Sequence, residues 1–145
     1  MENNASPIEI LLIEDNPGDV KLTQLGLKEA KVSNNLSIVN NGIDALNYLY
    51  KRGEFAFSTR PDLILLDLNL PLKDGRAVLE EIKENENLKT IPVVILTSSK
   101  AEEDILKSYK LHANCFITKP LDLTQFLAVI AAIDEFWLTI VKLPK

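Results

Sequence analysis

The chain has 145 residues, 46% of them hydrophobic and 26% charged, with a formal net charge of −5. That length suits one domain with a full core and leaves no room for a typical second one, and the negative balance has the wrong sign for nucleic-acid phosphates. The single Cys115 excludes an internal disulfide and, with the single His112, argues against a thiolate or imidazole metal site.

The first apolar run, Ile8 to Ile13, reads as a strand, with Glu14 and Asp15 directly after it. Asn16-Pro17 then offers a capping side chain and a proline whose missing N–H costs nothing, so a helix starts there with Val20, Leu22, Leu25 and Leu27 as its apolar positions. Leu36 to Val39 is the second strand, and Ala45, Leu46, Leu49 and Tyr50 mark a second helix in which Tyr48 and Tyr50 pack or line the surface. Leu63 to Leu66 is the third strand and runs into Asp67-Leu68-Asn69-Leu70-Pro71. Asp74-Gly75 caps a third helix with Val78, Leu79 and Ile82 on its inner face.

Val93 to Leu96 is the fourth strand, followed by Thr97, Ser98 and a cap at Ser99. Glu102, Glu103 and Asp104 suit the positive end of a fourth helix carrying Ile105, Leu106 and Tyr109. Cys115 to Ile117 is the fifth strand, leading through Lys119-Pro120 and a cap at Asp122 into an apolar helix over Leu123 to Leu138. Near-continuous apolarity in the runs predicts strands buried on both faces. Strand and helix alternating through short connections imply right-handed crossovers, hence a three-layer α/β domain with a parallel sheet between helices. Residues 1–6 lack the apolar core of a targeting signal, and no apolar run approaches the about 20 residues that span a bilayer, so neither membrane nor export is expected and the cytoplasm is the expected location.

Ligands of an open parallel sheet bind beyond the carboxyl ends of its strands. The residues there are Glu14 and Asp15, Asp67, Thr97 and Lys119: three carboxylates, a hydroxyl and an ammonium. Carboxylates gathered so closely stay ionised most simply around a hard cation with oxygen ligands, for which Mg²⁺ is expected. Mg²⁺ usually keeps waters and substrate phosphate oxygens in its shell, which points to phosphoryl chemistry. A carboxylate can itself accept a phosphoryl group when a cation, a hydroxyl donor and a fixed ammonium counter the charge, and Asp67, Thr97 and Lys119 fit those roles.

In these motifs, taken in order, the whole chain resembles the receiver domain of two-component response regulators. The resemblance implies a flavodoxin-like (βα)5 doubly wound sheet of five parallel strands in the order 2-1-3-4-5. It implies Asp67 as phosphoacceptor, Asp15 and Asp67 as metal ligands with the Asn69 backbone carbonyl, and Mg²⁺, with Mn²⁺ as a substitute, as cofactor. Thr97 and Lys119 correspond to phosphoryl ligands and Phe116 to the aromatic switch position. Glu14 stands where many members have aspartate, so it contacts the metal directly or through water. The partner implied is a sensor histidine kinase, and the domain assists its own phosphorylation and dephosphorylation without being an enzyme in its own right. The opening Glu14 to Asp19 and the closing Glu135 to Pro144 also resemble the small cyanobacterial regulators partnered with phytochrome-like histidine kinases.

Residues 1–145 are expected to be one receiver domain with an extended helix and tail over about residues 134–145 and no output domain. The last helix is apolar on every side although a helix on a sheet needs only one apolar stripe. Phe126, Val129, Ile133, Phe136, Trp137 and Ile140 are therefore expected to form a homodimer surface, the plainer reading being a tail that covers its own domain. A phosphorelay carrier or chemotaxis-type regulator is the nearest alternative. An aspartyl-phosphate phosphatase would need an acid/base aspartate where Asn69 stands, and a flavodoxin would present hydroxyls, not Glu14-Asp15-Asn16-Pro17, to its flavin phosphate.

Overall fold

In a computed structural model of the chain, residues 7–29, 33–97 and 115–118 are described. Five strands, β1 (Ile8–Ile13), β2 (Asn34–Val39), β3 (Leu63–Asp67), β4 (Val93–Thr97) and β5 (Cys115–Thr118), form one parallel sheet in the order β2-β1-β3-β4-β5. This is the expected receiver topology. The order of the chain reverses at β1, which lies between β2 and β3, so the carboxyl ends of β1 and β3 meet at the crevice where such sheets bind ligands.

Side chains alternate across the sheet because successive residues of a strand point to opposite faces. Leu11, Ile13, Ile64, Leu66, Val93 and Ile95 pack with Ala45, Leu46 and Leu49 of α2 (Gly42–Tyr50) and with Val78, Leu79 and Ile82 of α3 (Gly75–Glu84). On the other face Ile10, Leu12, Leu63, Leu65, Val94 and Leu96 pack with Leu27 of α1 (Pro17–Glu29). The two cores give the three layers. Full burial of each Leu or Ile contributes about 1.5–3 kcal/mol, which is why the fully covered runs of β1, β3 and β4 dominate the fold.

Four local expectations are corrected. β2 is a sheet edge, and Ile38 is exposed while Val39 is buried, so this run is not covered on both faces. It also begins earlier than its apolar residues, at Asn34, because Ile8 pairs with Asn34 and only backbone groups are needed for that pairing. In α1 Leu22 and Leu25 are exposed, and the inner face is instead Thr23, Gly26 and Leu27. Thr23 is tolerated there because its hydroxyl donates to Asp19 O at 2.9 Å. Asp74 occupies the position before α3 but makes no side-chain capping bond; its carboxylate faces the Arg76 guanidinium at 3.5 Å.

Other helix starts follow their chemistry. Asn16 Oδ1 accepts from Asp19 N at 3.0 Å, as its place before Pro17 predicts. Asn41, which the apolar pattern does not single out, caps α2 through Asp44 N at 2.7 Å. Tyr48 packs on Phe55 with ring centroids 5.6 Å apart, and Tyr50 lies under the Arg52 guanidinium at 4.4 Å. The fourth and fifth helices with their caps, Glu102 to Asp104, His112, and the tail and its proposed dimer residues lie outside the described residues.

Candidate phosphoacceptor and metal site

Strand register builds the site. Ile13 pairs with Val39 on one side and Leu66 on the other, so the next residues along, Glu14 and Asp67, stand side by side at the strand ends. Glu14 remains tied to the sheet by its N–H, which donates to Val39 O at 3.0 Å. Asp67 is the last residue of β3 and pairs with Leu96, so Thr97 follows one step beyond it on β4. Thr97 in turn pairs with Thr118, the residue before Lys119. The backbone thus brings the ends of four strands, β1, β3, β4 and β5, to one edge of the sheet. Phe116 of β5 pairs with Ile95 of β4. The Lys119 residue and the side chains of Thr97 and Phe116 lie outside the described residues.

Among the described residues Glu14, Asp15 and Asp67 bring one carboxylate oxygen each within 4.8 Å of one another. Glu14 is wholly buried, Asp67 is 2% exposed, and Asp15 faces solvent. Two local bonds orient this group: Asn16 N donates to Glu14 Oε2 at 3.1 Å, and Asn69 N donates to Asp67 Oδ1 at 3.2 Å. The set is purely oxygen and strongly anionic, which fits a hard divalent cation and not zinc or copper, whose sites favour imidazole and thiolate. A carboxylate held at the mouth of such a group, with room left in an octahedral shell, suits transfer of a phosphoryl group.

The segment between β3 and α3 is tightly built. Leu72 adopts φ 70, and Lys73 N donates to Pro71 O at 2.7 Å, closing a three-residue turn around Leu72. Gly75 N donates to Leu68 O at 2.9 Å, and Gly42 N to Pro71 O at 3.3 Å. Lys73 pairs with Glu81 at 3.1 Å, and the Tyr50 hydroxyl donates to the other Glu81 oxygen at 3.1 Å. The hydrogen bond from Lys73 lowers the Glu81 carboxyl below the ordinary value of 4.5, while burial and Glu81 raise the Tyr50 phenol above 10.0. None of this bracing was visible in the apolar pattern; the glycines at 42 and 75 are the sequence signals for it.

A family model described as the response regulator receiver domain matches residues 10–131. The chain belongs to the response regulator receiver family, whose domains bind Mg²⁺ or Mn²⁺ in an acidic pocket of this kind. It is 49% identical over 138 residues to the response regulator Rcp1 of Synechocystis sp. (strain ATCC 27184 / PCC 6803 / Kazusa), covering 95% of this chain and 94% of that one. Among solved structures it is similar to the phosphorylated cyanobacterial phytochrome response regulator RcpA, with a TM-score of 0.79 at 48% identity over 97% of this chain and all of that one. The Mn²⁺-bound form of Rcp1 matches with a TM-score of 0.78 at 48% identity, over 96% of this chain and all of that one. The expected family, fold and divalent cofactor are therefore borne out, and no helix among the described residues is long and apolar enough to cross a membrane.

Proposed function

We propose that this chain is a phytochrome-pathway response regulator that accepts a phosphoryl group from a histidine kinase on Asp67 and passes the signal on by protein contact. The observation that carries the reading is the buried Asp67 carboxylate at the end of β3, within 4.8 Å of those of Glu14 and Asp15. Its likeness to Rcp1 and to the phytochrome regulator RcpA supports the phytochrome branch.

In the proposed transfer a carboxylate oxygen of Asp67 attacks phosphorus of a phosphohistidine. The new O–P bond forms as the N–P bond breaks, and the imidazole leaves with its electron pair. Asp15, Asp67, the Asn69 carbonyl and, directly or through water, Glu14 hold the divalent ion. When bound, that ion supplies positive charge that offsets the carboxylates and draws electron density from the phosphoryl oxygens. Thr97 donates its hydroxyl to a phosphoryl oxygen and Lys119 its ammonium to another, and Phe116 turns inward as Thr97 shifts. Phosphorylation thereby biases a two-state surface through its different contacts in the two states.

The same reading takes residues 1–145 as one receiver domain of the cytoplasm that contacts no nucleic acid. It pairs with a second copy through Phe126, Val129, Ile133, Phe136, Trp137 and Ile140. It assists its own phosphorylation and dephosphorylation and turns over no separate substrate. The test is Mg²⁺-dependent labelling by a phytochrome-like kinase and by a small phosphodonor. Asp67→Asn abolishes both, and persistent labelling would move the acceptor elsewhere.

A further inference from the structure

Gly42 is the first residue of α2, directly after the Asn41 cap. Its backbone is not in the left-handed region, so conformation does not require it. Space does. A Cβ at Gly42 would overlap the Lys73 carbonyl oxygen and stand 2.7 Å from Lys73 Cβ and 2.8 Å from its carbonyl carbon. The Gly42 N–H also donates to Pro71 O. One residue of α2 therefore meets both flanks of the turn around Leu72, which holds φ 70: its N–H bonds Pro71 and its α-carbon lies close against Lys73.

That turn belongs to the segment that starts at Asp67 and includes Asn69, whose N–H holds Asp67 Oδ1. From its other end the segment is closed by Gly75 N on Leu68 O and by Lys73 on Glu81. The backbone bond at Gly75 limits how far the α3 side can take up a movement of Lys73 away from α2. The displacement passes through Pro71 and Leu70 toward Asn69. Metal ligation tolerates only a few tenths of an ångström in donor position.

We propose that Gly42 is a positioning residue for the divalent ion: by admitting the segment between β3 and α3 against the start of α2, it sets where the Asn69 carbonyl stands relative to Asp67. The inference rests on the reading of Asp67 and Asn69 as metal contacts. Gly42 touches neither the ion nor the phosphoryl group and acts through Pro71 and Lys73.

The test is titration of the full chain with Mn²⁺, free ion being read by electron paramagnetic resonance, beside urea unfolding of each variant. Gly42→Ala weakens Mn²⁺ binding about tenfold or more, the usual effect of losing an outer support of a metal site. Gly53→Ala is the control for mere destabilisation. Gly53 lies past the far end of α2 at φ 57 with nothing within 4 Å, so a Cβ there strains the backbone and leaves Mn²⁺ affinity unchanged. Wild-type affinity in Gly42→Ala, or an equal loss in Gly53→Ala, overturns the proposal. Asp67→Asn with undiminished Mn²⁺ binding would instead overturn the underlying site reading. A measurement on the unmodified chain keeps the test open if Gly42→Ala does not fold. Because coupling is reciprocal, saturating Mg²⁺ slows hydrogen exchange of the Gly42 amide, and unchanged exchange at that amide overturns the proposal.

Discussion

The backbone of Gly75 lies so close to that of Asp67 that a Cβ on the glycine would overlap the Asp67 carbonyl oxygen and stand 2.5 Å from Leu68 Cα. The first residue of α3 thus abuts the end of the strand that presents the Asp67 carboxylate. Gly75→Ala forces main chain apart at a buried position, and overpacking of this kind costs about 1–3 kcal/mol. Urea unfolding of the metal-free protein measures it; a loss under about 0.5 kcal/mol, the range of ordinary surface substitutions, would mean that α3 can slide away freely.

Metal binding to the folded chain alone raises its stability. With Mg²⁺ at a hundred times its Kd the gain is about 2.7 kcal/mol, and chelation removes it. Asp15→Asn deletes one charge from the group within 4.8 Å, so it lessens repulsion in the metal-free form and shrinks the Mg²⁺-induced rise in Tm. Paired thermal scans with Mg²⁺ and with chelator check both signs.

The Lys73, Glu81 and Tyr50 chain gives a pH dependence. Glu81 has a lowered carboxyl value, first through the Lys73 hydrogen bond, so its contribution is complete above 4.5 and is lost as pH falls below that through the folded value. Both partners are about a third exposed, so screening keeps the pair within about 0.2–1 kcal/mol. Glu81→Gln is accordingly less stable than the parent at pH 7, and the gap closes in acid. Tyr50, raised by burial and by Glu81, holds its contribution below 10.0 and loses it as pH climbs beyond; ultraviolet titration of Tyr50→Phe against the parent identifies that phenol.

Asn41 caps α2 at 2.7 Å from Asp44 N and also donates to Asp44 Oδ2 at 3.0 Å. Asn41→Ala costs about 1 kcal/mol, and Asn41→Ser, which keeps an acceptor without setting a second carboxylate against Asp44, costs less. Chemical unfolding of the two variants separates the cap from simple loss of a polar side chain.

Strands were legible because burial on both faces leaves continuous apolar runs: Ile8–Ile13 begins and ends where its run does. Runs that end in polar residues were read short, β3 by Asp67 and β4 by Thr97, since the ladder continues through backbone that hydropathy does not register. In α1 a hydrophobic count chose Leu22 and Leu25 over Thr23, whose hydroxyl is satisfied by the preceding turn and so can face inward. Glu14, Asp15 and Asp67 were legible as a group because residues at the carboxyl ends of parallel strands converge. The supports of the segment beyond Asp67 were not, because they are contacts of main chain with main chain at Gly42, Lys73 and Gly75, and these leave little trace in side-chain type.

Leu72 keeps its φ of 70 although it carries a Cβ. Such a conformation costs about 1–3 kcal/mol and persists only while the surroundings impose it. A glycine in its place would relieve that strain and widen the choices of the unfolded chain, whereas leucine keeps the segment strained in the fold. The acidic pocket therefore sits beside a stretch of backbone under tension, its cost carried by the contacts of Gly42, Lys73 and Gly75 around it.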